Sequence, residues 1–308
     1  MGHSRIEIKV ILWLVASFIQ LAALAQPDLP QTNRAVKLYE QNDLMAARNA
    51  ILEAVQSQEE SKHPYTWYVK GFVFKEIFKQ IEKANPYSEN REVAVGAILR
   101  SLEMDKKGTY VVNNHNALRY LAVTFYNDAV LLTRTLDKEK IDEPIIFYER
   151  YKELNSIVEP SKDYTSKDLE FYKNMARACR LIYEKQPQIE PVYFESMERY
   201  YLKAMEVDPN DFQSSYNLAV NYYNKGVHEI RKIDHNTEIV ELMRIQDECI
   251  ALFKKALPYM QSANDIQPDH LGSLKGLMAI HRSLSDDITS AEYREKLESL
   301  INDGKPRE

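Results

Sequence analysis

The chain has 308 residues, a formal net charge of −6 at pH 7 and only two cysteines. A mildly acidic chain without a dense block of Lys and Arg is a poor candidate for binding a phosphate backbone, so nucleic acid is disfavoured as a partner. The eight glycines of the whole chain supply few of the tight turns that many short strands need, which favours helices.

The first 25 residues have the pattern of a secretory signal peptide. Arg5 and Lys9 precede an apolar run that ends in the small-x-small site Ala23-Leu24-Ala25. This run is shorter than the roughly 20 residues that cross a bilayer. A cleaved signal over residues 1–25 is therefore predicted, and an uncleaved N-terminal anchor is the alternative.

Export implies a periplasmic or extracellular location in a bacterial cell envelope. The remaining residues, 26–308, are predicted to form a helical repeat domain that has no membrane span. Cys179 and Cys249 both fall within helical patterns, and a disulfide would need their Cα atoms within about 7 Å. Two separate buried thiols are the favoured interpretation, and a bridge is the alternative.

In chain order, the apolar spacing predicts helices in pairs. Asn33–Glu40 and Leu44–Val55 flank a polar corner and form the first pair. The second pair begins after Pro64, with Trp67 and Gly71 in its first helix. It ends near Gly108, because glycine suits a helix C-terminus. A third pair is predicted over Asn113–Thr135 and Ile145–Val158, and later helices begin near Thr165, Val192, Asp211, Glu238, Leu271 and Tyr293.

The most regular stretch is Met197–Tyr223, which reads as two helices joined by a proline turn. Its core positions are Met197, Tyr201, Ala204, Leu218, Ala219 and Tyr222. The spacing Met-x3-Tyr-x2-Ala-x4-Pro, followed by Leu-Ala-x2-Tyr, resembles the junction between two tetratricopeptide (TPR) repeats. The resemblance implies an all-α fold, an α-α superhelical solenoid of TPR-like helical hairpins with irregular, lengthened repeats.

One hairpin is predicted to be much longer than a standard repeat. The helix Asp211–Asp234 and its partner to about Asp265 exceed the 34-residue period of the family. Pro258 lies within the partner helix, where a proline removes an amide donor and is predicted to kink it. These two helices are therefore predicted to project beyond the array.

The motifs of common enzymes are absent from the sequence, including the P-loop, the dinucleotide fingerprint, HExxH, GxSxG and CxxC. His228 and His235 share a helical spacing near Glu229 and Asp234, but no second histidine pair or thiol completes a metal site. No catalytic residue, metal or cofactor is therefore predicted. A hydrolase site near these two histidines is the least favoured alternative.

In the TPR family the first helices of the repeats line a concave groove that binds a peptide or a partner helix. Projected onto this chain, the resemblance selects Tyr68, Lys75, Arg119, Tyr126, Lys173, Arg177, Arg180, Tyr216, Asn217, Tyr223, Lys275 and Arg282. Such basic and tyrosine side chains suit an acidic, partly aromatic ligand. For each residue taken alone, an ordinary solvated helix face is the alternative. Only Lys173-x3-Arg177 matches the two-carboxylate clamp of some TPR proteins.

The sequence thus predicts an exported, non-catalytic TPR scaffold that mediates protein–protein interaction. Its partner would be a protein or peptide, acidic in the favoured interpretation; the sequence does not define the oligomeric state. A SusD-like glycan- or nutrient-binding protein of the cell envelope is the alternative, because that scaffold also contains TPR units. The missing lipid-anchor cysteine and the short chain weigh against it.

Overall fold

The computed structural model describes residues 28–135, 138–185 and 191–302, and these residues form twelve α-helices and no strand. The predicted signal peptide lies outside this part of the chain. Within the same ranges, no helix has the length and apolar character that a membrane span requires. The helices are α1 (Pro30–Glu40), α2 (Leu44–Gln56), α3 (Pro64–Glu76), α4 (Glu89–Met104), α5 (Val111–Thr135), α6 (Glu143–Val158), α7 (Thr165–Lys185), α8 (Pro191–Val207), α9 (Phe212–Ile230), α10 (Ile239–Ile266), α11 (Leu271–Ser283) and α12 (Asp287–Asn302).

Consecutive helices pack together in pairs. Direct packing joins α1 with α2, α3 with α4, α7 with α8, α9 with α10 and α11 with α12. Ring contacts join α5 with α6, where Phe125 lies 6.1 Å from Phe147 and Tyr126 lies 5.1 Å from Tyr151, between centroids. The predicted fold class is confirmed: the chain is an all-α solenoid of TPR-like hairpins with lengthened repeats.

The chain divides into two compact units, and the predicted repeat domain includes residues of both. Unit 1 comprises Met1–Asp128 and Ile145–Ser161, and unit 2 comprises Ala129–Pro144 and Lys162–Glu308. The division falls within α5, the longest helix of the first half of the chain.

The core positions of the most regular junction are buried, as the repeat spacing predicts. Met197, Ala204, Leu218 and Ala219 are fully buried, and Tyr201 and Tyr222 are nearly so. Full burial of a side chain the size of leucine contributes about 1.5–3 kcal/mol. This junction is thus held by the side chains that the repeat spacing selects.

The first lengthened corner, between α3 and α4, is built by unusual backbone geometry. A π-helical turn, Ile77–Ile81, extends α3. Lys83 and Ala84 then adopt φ angles of 50° and 55°, in a region that side chains other than glycine rarely occupy. The Glu82 carboxylate accepts hydrogen bonds from Ser88 and Asn90, so the turn is held by side chains at the start of α4.

The second lengthened hairpin, α9 with α10, carries its own apolar cluster. Ile245, Cys249 and Phe253 are buried, with Tyr223 and Val227 packed against them. The helix α10 continues through Pro258 without interruption. Cys249 and Cys179 are both buried and unbridged, as the favoured interpretation predicts. Burial raises the pKa of the Cys179 thiol to about 12, so this thiol stays protonated.

Candidate functional site

Unit 2 contains an open cavity of about 340 Å³, here named the unit-2 cavity. It is formed by α7, α8 and α9. Its lining residues are Glu170, Lys173, Asn174, Arg177, Arg180, Tyr201, Gln213 and Asn217. Four of these were selected by the repeat resemblance, namely Lys173, Arg177, Arg180 and Asn217. The structure therefore brings one third of the twelve predicted groove residues together in a single cavity.

Helix α7 supplies most of the lining because one of its faces is polar and the other is apolar and buried. Glu170, Lys173, Asn174 and Arg177 recur at the three- and four-residue spacing that places side chains on one face. The opposite face packs into the core through Phe171, Tyr172, Met175, Ala176 and Cys179. This amphipathic pattern directs the polar face of α7 toward the cavity and solvent.

Lys173 is neutralised by a carboxylate of the same unit. Its Nζ donates to Asp211 Oδ1 at 2.9 Å and to Gln213 Oε1 at 3.2 Å. Asp211 also caps α9 by accepting a hydrogen bond from the Ser214 amide at 2.8 Å. Burial raises the pKa of Asp211, but the bonds from Ser214 and Lys173 outweigh it and hold that pKa below its usual value. The ionised Asp211 therefore ties α7 to α9 at one edge of the cavity.

The two arginines of the cavity differ in their partners. Arg180 donates to Glu184 at 2.7 Å, one turn further along α7. Arg177 is exposed and makes no ion pair or side-chain hydrogen bond with any residue in the described part of the chain. A guanidinium presents five N–H donors in a fixed plane. Arg177 is thus the cation of the cavity that is available to a ligand.

The other lining groups are neutral hydrogen-bonding side chains. Asn174 and Gln213 are exposed, and Asn217 is half-buried. Tyr201 is almost fully buried; burial raises the pKa of its hydroxyl, and the nearby Arg180 and Arg177 only partly offset that rise. The hydroxyl therefore stays protonated at neutral pH. Together these groups can donate to a carboxylate and can pair with the amides of an extended peptide.

The remaining predicted residues of unit 2 lie elsewhere. Tyr216 packs against Phe212 and His270, with ring centroids 5.5 Å and 5.0 Å away. Tyr223 packs on Phe253 at 5.3 Å and helps to cover the apolar cluster of the lengthened hairpin. Lys275 and Arg282 are exposed on α11, and neither lines the unit-2 cavity.

The four predicted residues of unit 1 are engaged in local contacts. Tyr68 was predicted to line the groove, but it is only 5% exposed because the rings of Phe72 and Tyr110 cover it. Lys75 pairs with Glu76 at 3.0 Å and lies over the Phe72 ring.

The other two unit 1 residues lie on α5. Arg119 pairs with Glu159 at 3.0 Å, and the Tyr126 ring packs against Tyr148 and Tyr151. Arg119 and Tyr126 thus connect α5 with α6 and with Glu159, which directly follows α6.

Four lining residues were not predicted: Glu170, Asn174, Tyr201 and Gln213. Glu170 lies three residues before Lys173 and Asn174 three before Arg177, so helical spacing could have placed them on the same face as those two residues. Tyr201 was assigned to the core, which is also true, because its ring is buried while its edge reaches the cavity. Nothing in the sequence around Gln213 indicated that this residue lines a cavity.

Comparisons with known proteins find solved structures of low sequence identity and low TM-score. No protein-family model matches the chain, and no curated protein matches its sequence. Residues 41 to the end of MamA from Desulfovibrio magneticus RS-1 are 12% identical over 77% of this chain and 98% of that one, with a TM-score of 0.32. PilW, described as a widely conserved type IV pilus biogenesis factor, is 15% identical over 87% and 91%, with a TM-score of 0.33. At these values the likeness says nothing about a ligand or a partner.

Proposed function

We propose that this protein is an exported, non-catalytic interaction scaffold that binds an acidic segment of a partner protein in the unit-2 cavity. The observation that carries the proposal is Arg177, an exposed guanidinium that forms no ion pair with any described residue, beside the side-chain amides of Asn174, Gln213 and Asn217. Lengthened TPR-like hairpins present such polar helix faces to extended segments.

The charges of the cavity favour one carboxylate rather than a dense polyanion. Lys173 and Arg180 are already paired with Asp211 and Glu184, and Glu170 adds a negative charge to the lining. The carboxylate of a partner would accept two parallel hydrogen bonds from Arg177. A hydrogen bond to a charged group contributes about 1.5–3 kcal/mol, and the neighbouring amides would hold the peptide backbone.

Reversing the charge at Arg177 is the direct test. A fluorescein-labelled peptide with a tyrosine flanked on each side by Asp and Glu should bind the purified protein saturably in a fluorescence anisotropy titration. Arg177→Glu is expected to weaken binding at least about tenfold, a loss of about 1.4 kcal/mol, and raising the salt concentration should also weaken it.

The matched control is Arg294→Glu, because Arg294 is an exposed arginine on α12 of the same unit and does not line the cavity. The Arg294→Glu variant should bind the peptide with the same affinity as the unchanged protein. Equal losses in both variants would attribute binding to the overall charge. Unchanged binding by Arg177→Glu would reject the proposed site.

Export is a separate prediction, motivated by the N-terminal pattern. When the full chain is produced in a bacterium with a general secretory pathway, the protein is expected in the periplasmic or extracellular fraction. Intact-mass measurement should give a chain that begins at Gln26. Ala25→Pro should block processing, because proline next to the scissile bond is incompatible with signal cleavage of the small-x-small type. An uncleaved chain in the cytoplasm would contradict the prediction.

The glycan-binding alternative stays a prediction without support at this cavity. Tyr201 is the only aromatic side chain among the described residues that line the cavity, and its ring is buried. A sugar ring would need an accessible aromatic face to stack on. The chemistry of the unit-2 cavity favours a peptide.

A further inference from the structure

Unit 1 contains a second cavity whose chemistry differs from that of the first. It has a volume of about 620 Å³, is open to solvent and is here named the α6 cleft. Its lining residues are Glu92, Phe125, Ile145, Ile146, Phe147, Glu149, Arg150 and Glu153. Helix α6 contributes six of these eight residues. The cleft combines an apolar floor with a charged rim.

The floor is built from side chains that pack against the core of unit 1. Phe125 is 2% exposed, and its ring lies 6.1 Å from that of Phe147. The ring of Phe147 also meets Tyr87 edge-on at 6.2 Å. Ile146 differs from its neighbours, because 67% of it is exposed at the cleft. A bulky apolar side chain displayed beside an apolar concavity, with a polar rim around it, marks an interaction site.

The rim presents negative charge outward. Arg150 donates to Glu92 at 2.6 Å and to Glu153 at 2.8 Å, and Lys152 pairs with Glu149 at 3.3 Å. The two cationic side chains are only 26% and 22% exposed, whereas the three carboxylate side chains are between 51% and 59% exposed. The cations are therefore covered and the carboxylates face solvent. A positively charged partner is electrostatically complementary to such a rim.

We propose that the α6 cleft docks a segment of a partner protein in which bulky apolar side chains are flanked by Lys or Arg. The apolar side chains would cover Ile146 and enter the cleft above Phe125 and Phe147, and the flanking cations would meet Glu149 and Glu153. This inference does not depend on the function proposed for the unit-2 cavity, because that cavity is proposed to bind an acidic segment and the α6 cleft a basic one. The scaffold would then hold two partner segments of different chemistry.

The other two occupants are a second copy of this chain and an anionic lipid surface. Exposed Ile239, Val240 and Met243 of a second copy lie among Glu238 and Glu241, which would meet the acidic rim. Its exposed Ile81, however, lies between Lys79 and Lys83, so sedimentation is needed to distinguish a second copy from a partner protein. An anionic lipid surface would be repelled by the same rim. Charge complementarity therefore selects a basic and apolar segment.

The test uses the full chain without its signal segment and a fluorescein-labelled peptide in which Leu-Phe is flanked on each side by a pair of lysines. The peptide should bind saturably in an anisotropy titration, and the same peptide with glutamates in place of the lysines should not. Ile146→Glu is expected to weaken binding of the basic peptide at least about tenfold, because it adds a charge to the apolar contact. Glu149→Lys should weaken it by about threefold to tenfold.

Ile239→Glu is the matched control, because Ile239 is an isoleucine of unit 2 that is 74% exposed. Both isoleucines face solvent, so their replacement leaves the fold intact, which circular dichroism checks. Unchanged affinity in Ile239→Glu supports the cleft. The proposal is overturned if the basic peptide does not bind, or if Ile146→Glu has no greater effect than Ile239→Glu. It is also overturned if sedimentation shows a dimer that Ile146→Glu dissociates, since a second copy would then cover the cleft.

Discussion

Replacing Arg91 with methionine is expected to lower the free energy of unfolding by about 3–5 kcal/mol. The Arg91 side chain is 1% exposed, and its Nη1 donates to Asp128 Oδ2 at 2.5 Å. Its Nη2 donates to the Pro86 carbonyl, and its Cζ lies 3.8 Å from the centroid of the Phe125 ring. Methionine keeps the apolar stem but leaves the largely buried Asp128 carboxylate without its cation. Urea denaturation followed by circular dichroism measures the loss.

Two further variants separate the lost pair from general effects of the substitution. Arg100→Met removes an exposed arginine that pairs with Glu103 on the same helix, and it should change stability by less than about 0.5 kcal/mol. The double variant Arg91→Met with Asp128→Leu should regain much of the lost stability, because the uncompensated carboxylate is then absent. A single Arg91→Met variant within about 1 kcal/mol of the unchanged protein would contradict this account of the unit 1 core.

The second large effect is expected at Gly71, where α3 and α4 approach closely. A Cβ placed at Gly71 would lie 2.5 Å from Ile98 Cγ1 and 3.3 Å from the Ile98 backbone nitrogen. Because Ile98 is itself fully buried, its side chain has little room to move. Gly71→Val should therefore lower the free energy of unfolding by about 2–3 kcal/mol, measured by the same denaturation.

Gly96 provides the matched control on the partner helix. It lies within α4 and is exposed, and an added Cβ would meet no atom within 4 Å. Gly96→Val should leave stability unchanged or raise it by up to about 0.5 kcal/mol, since valine forms helix more readily than glycine. Equal losses in the two variants would show that helix propensity, rather than the close approach, determines the effect.

The sequence predicted the helical hairpins well where their apolar spacing is regular. Met197, Leu218 and Ala219 are buried as expected, because each hairpin can only cover its apolar face against its neighbours. Helix ends were predicted less well. The last helix was predicted to begin near Tyr293, but α12 begins at Asp287, where Asp286 accepts a hydrogen bond from the Thr289 amide at 3.1 Å.

Adjacent tyrosines illustrate what helical periodicity misses. Neighbours on a helix lie about 100° apart, so helical periodicity alone would place only one of Tyr200 and Tyr201 in the core. Both are in fact buried, at 2% and 3% exposure. The Tyr200 hydroxyl reaches Asp142 at 3.5 Å, a residue 58 positions away, so a distant segment of unit 2 covers the second face. Such contacts depend on the tertiary fold and leave no local signal.

The sequence indicated which residue types lie on one face of α7 but did not indicate how their charges are paired. Lys173, Arg177 and Arg180 all line the unit-2 cavity, and their role in binding stays a prediction. The pairing of Lys173 with Asp211 joins residues 38 positions apart, and sequence spacing did not indicate it. That pairing changes the interpretation from a broadly basic groove to a cavity with one available guanidinium.

Photo-cross-linking from the unit-2 cavity tests the central claim most directly. Benzoylphenylalanine would replace Asn174, an exposed lining residue, or Glu295, an exposed residue of α12 that does not line the cavity. The acidic tyrosine peptide is predicted to cross-link to the protein substituted at position 174 and not to that substituted at position 295. Adding Arg177→Glu should abolish the product. Equal yields from both positions, or a product unaffected by Arg177→Glu, would contradict the account.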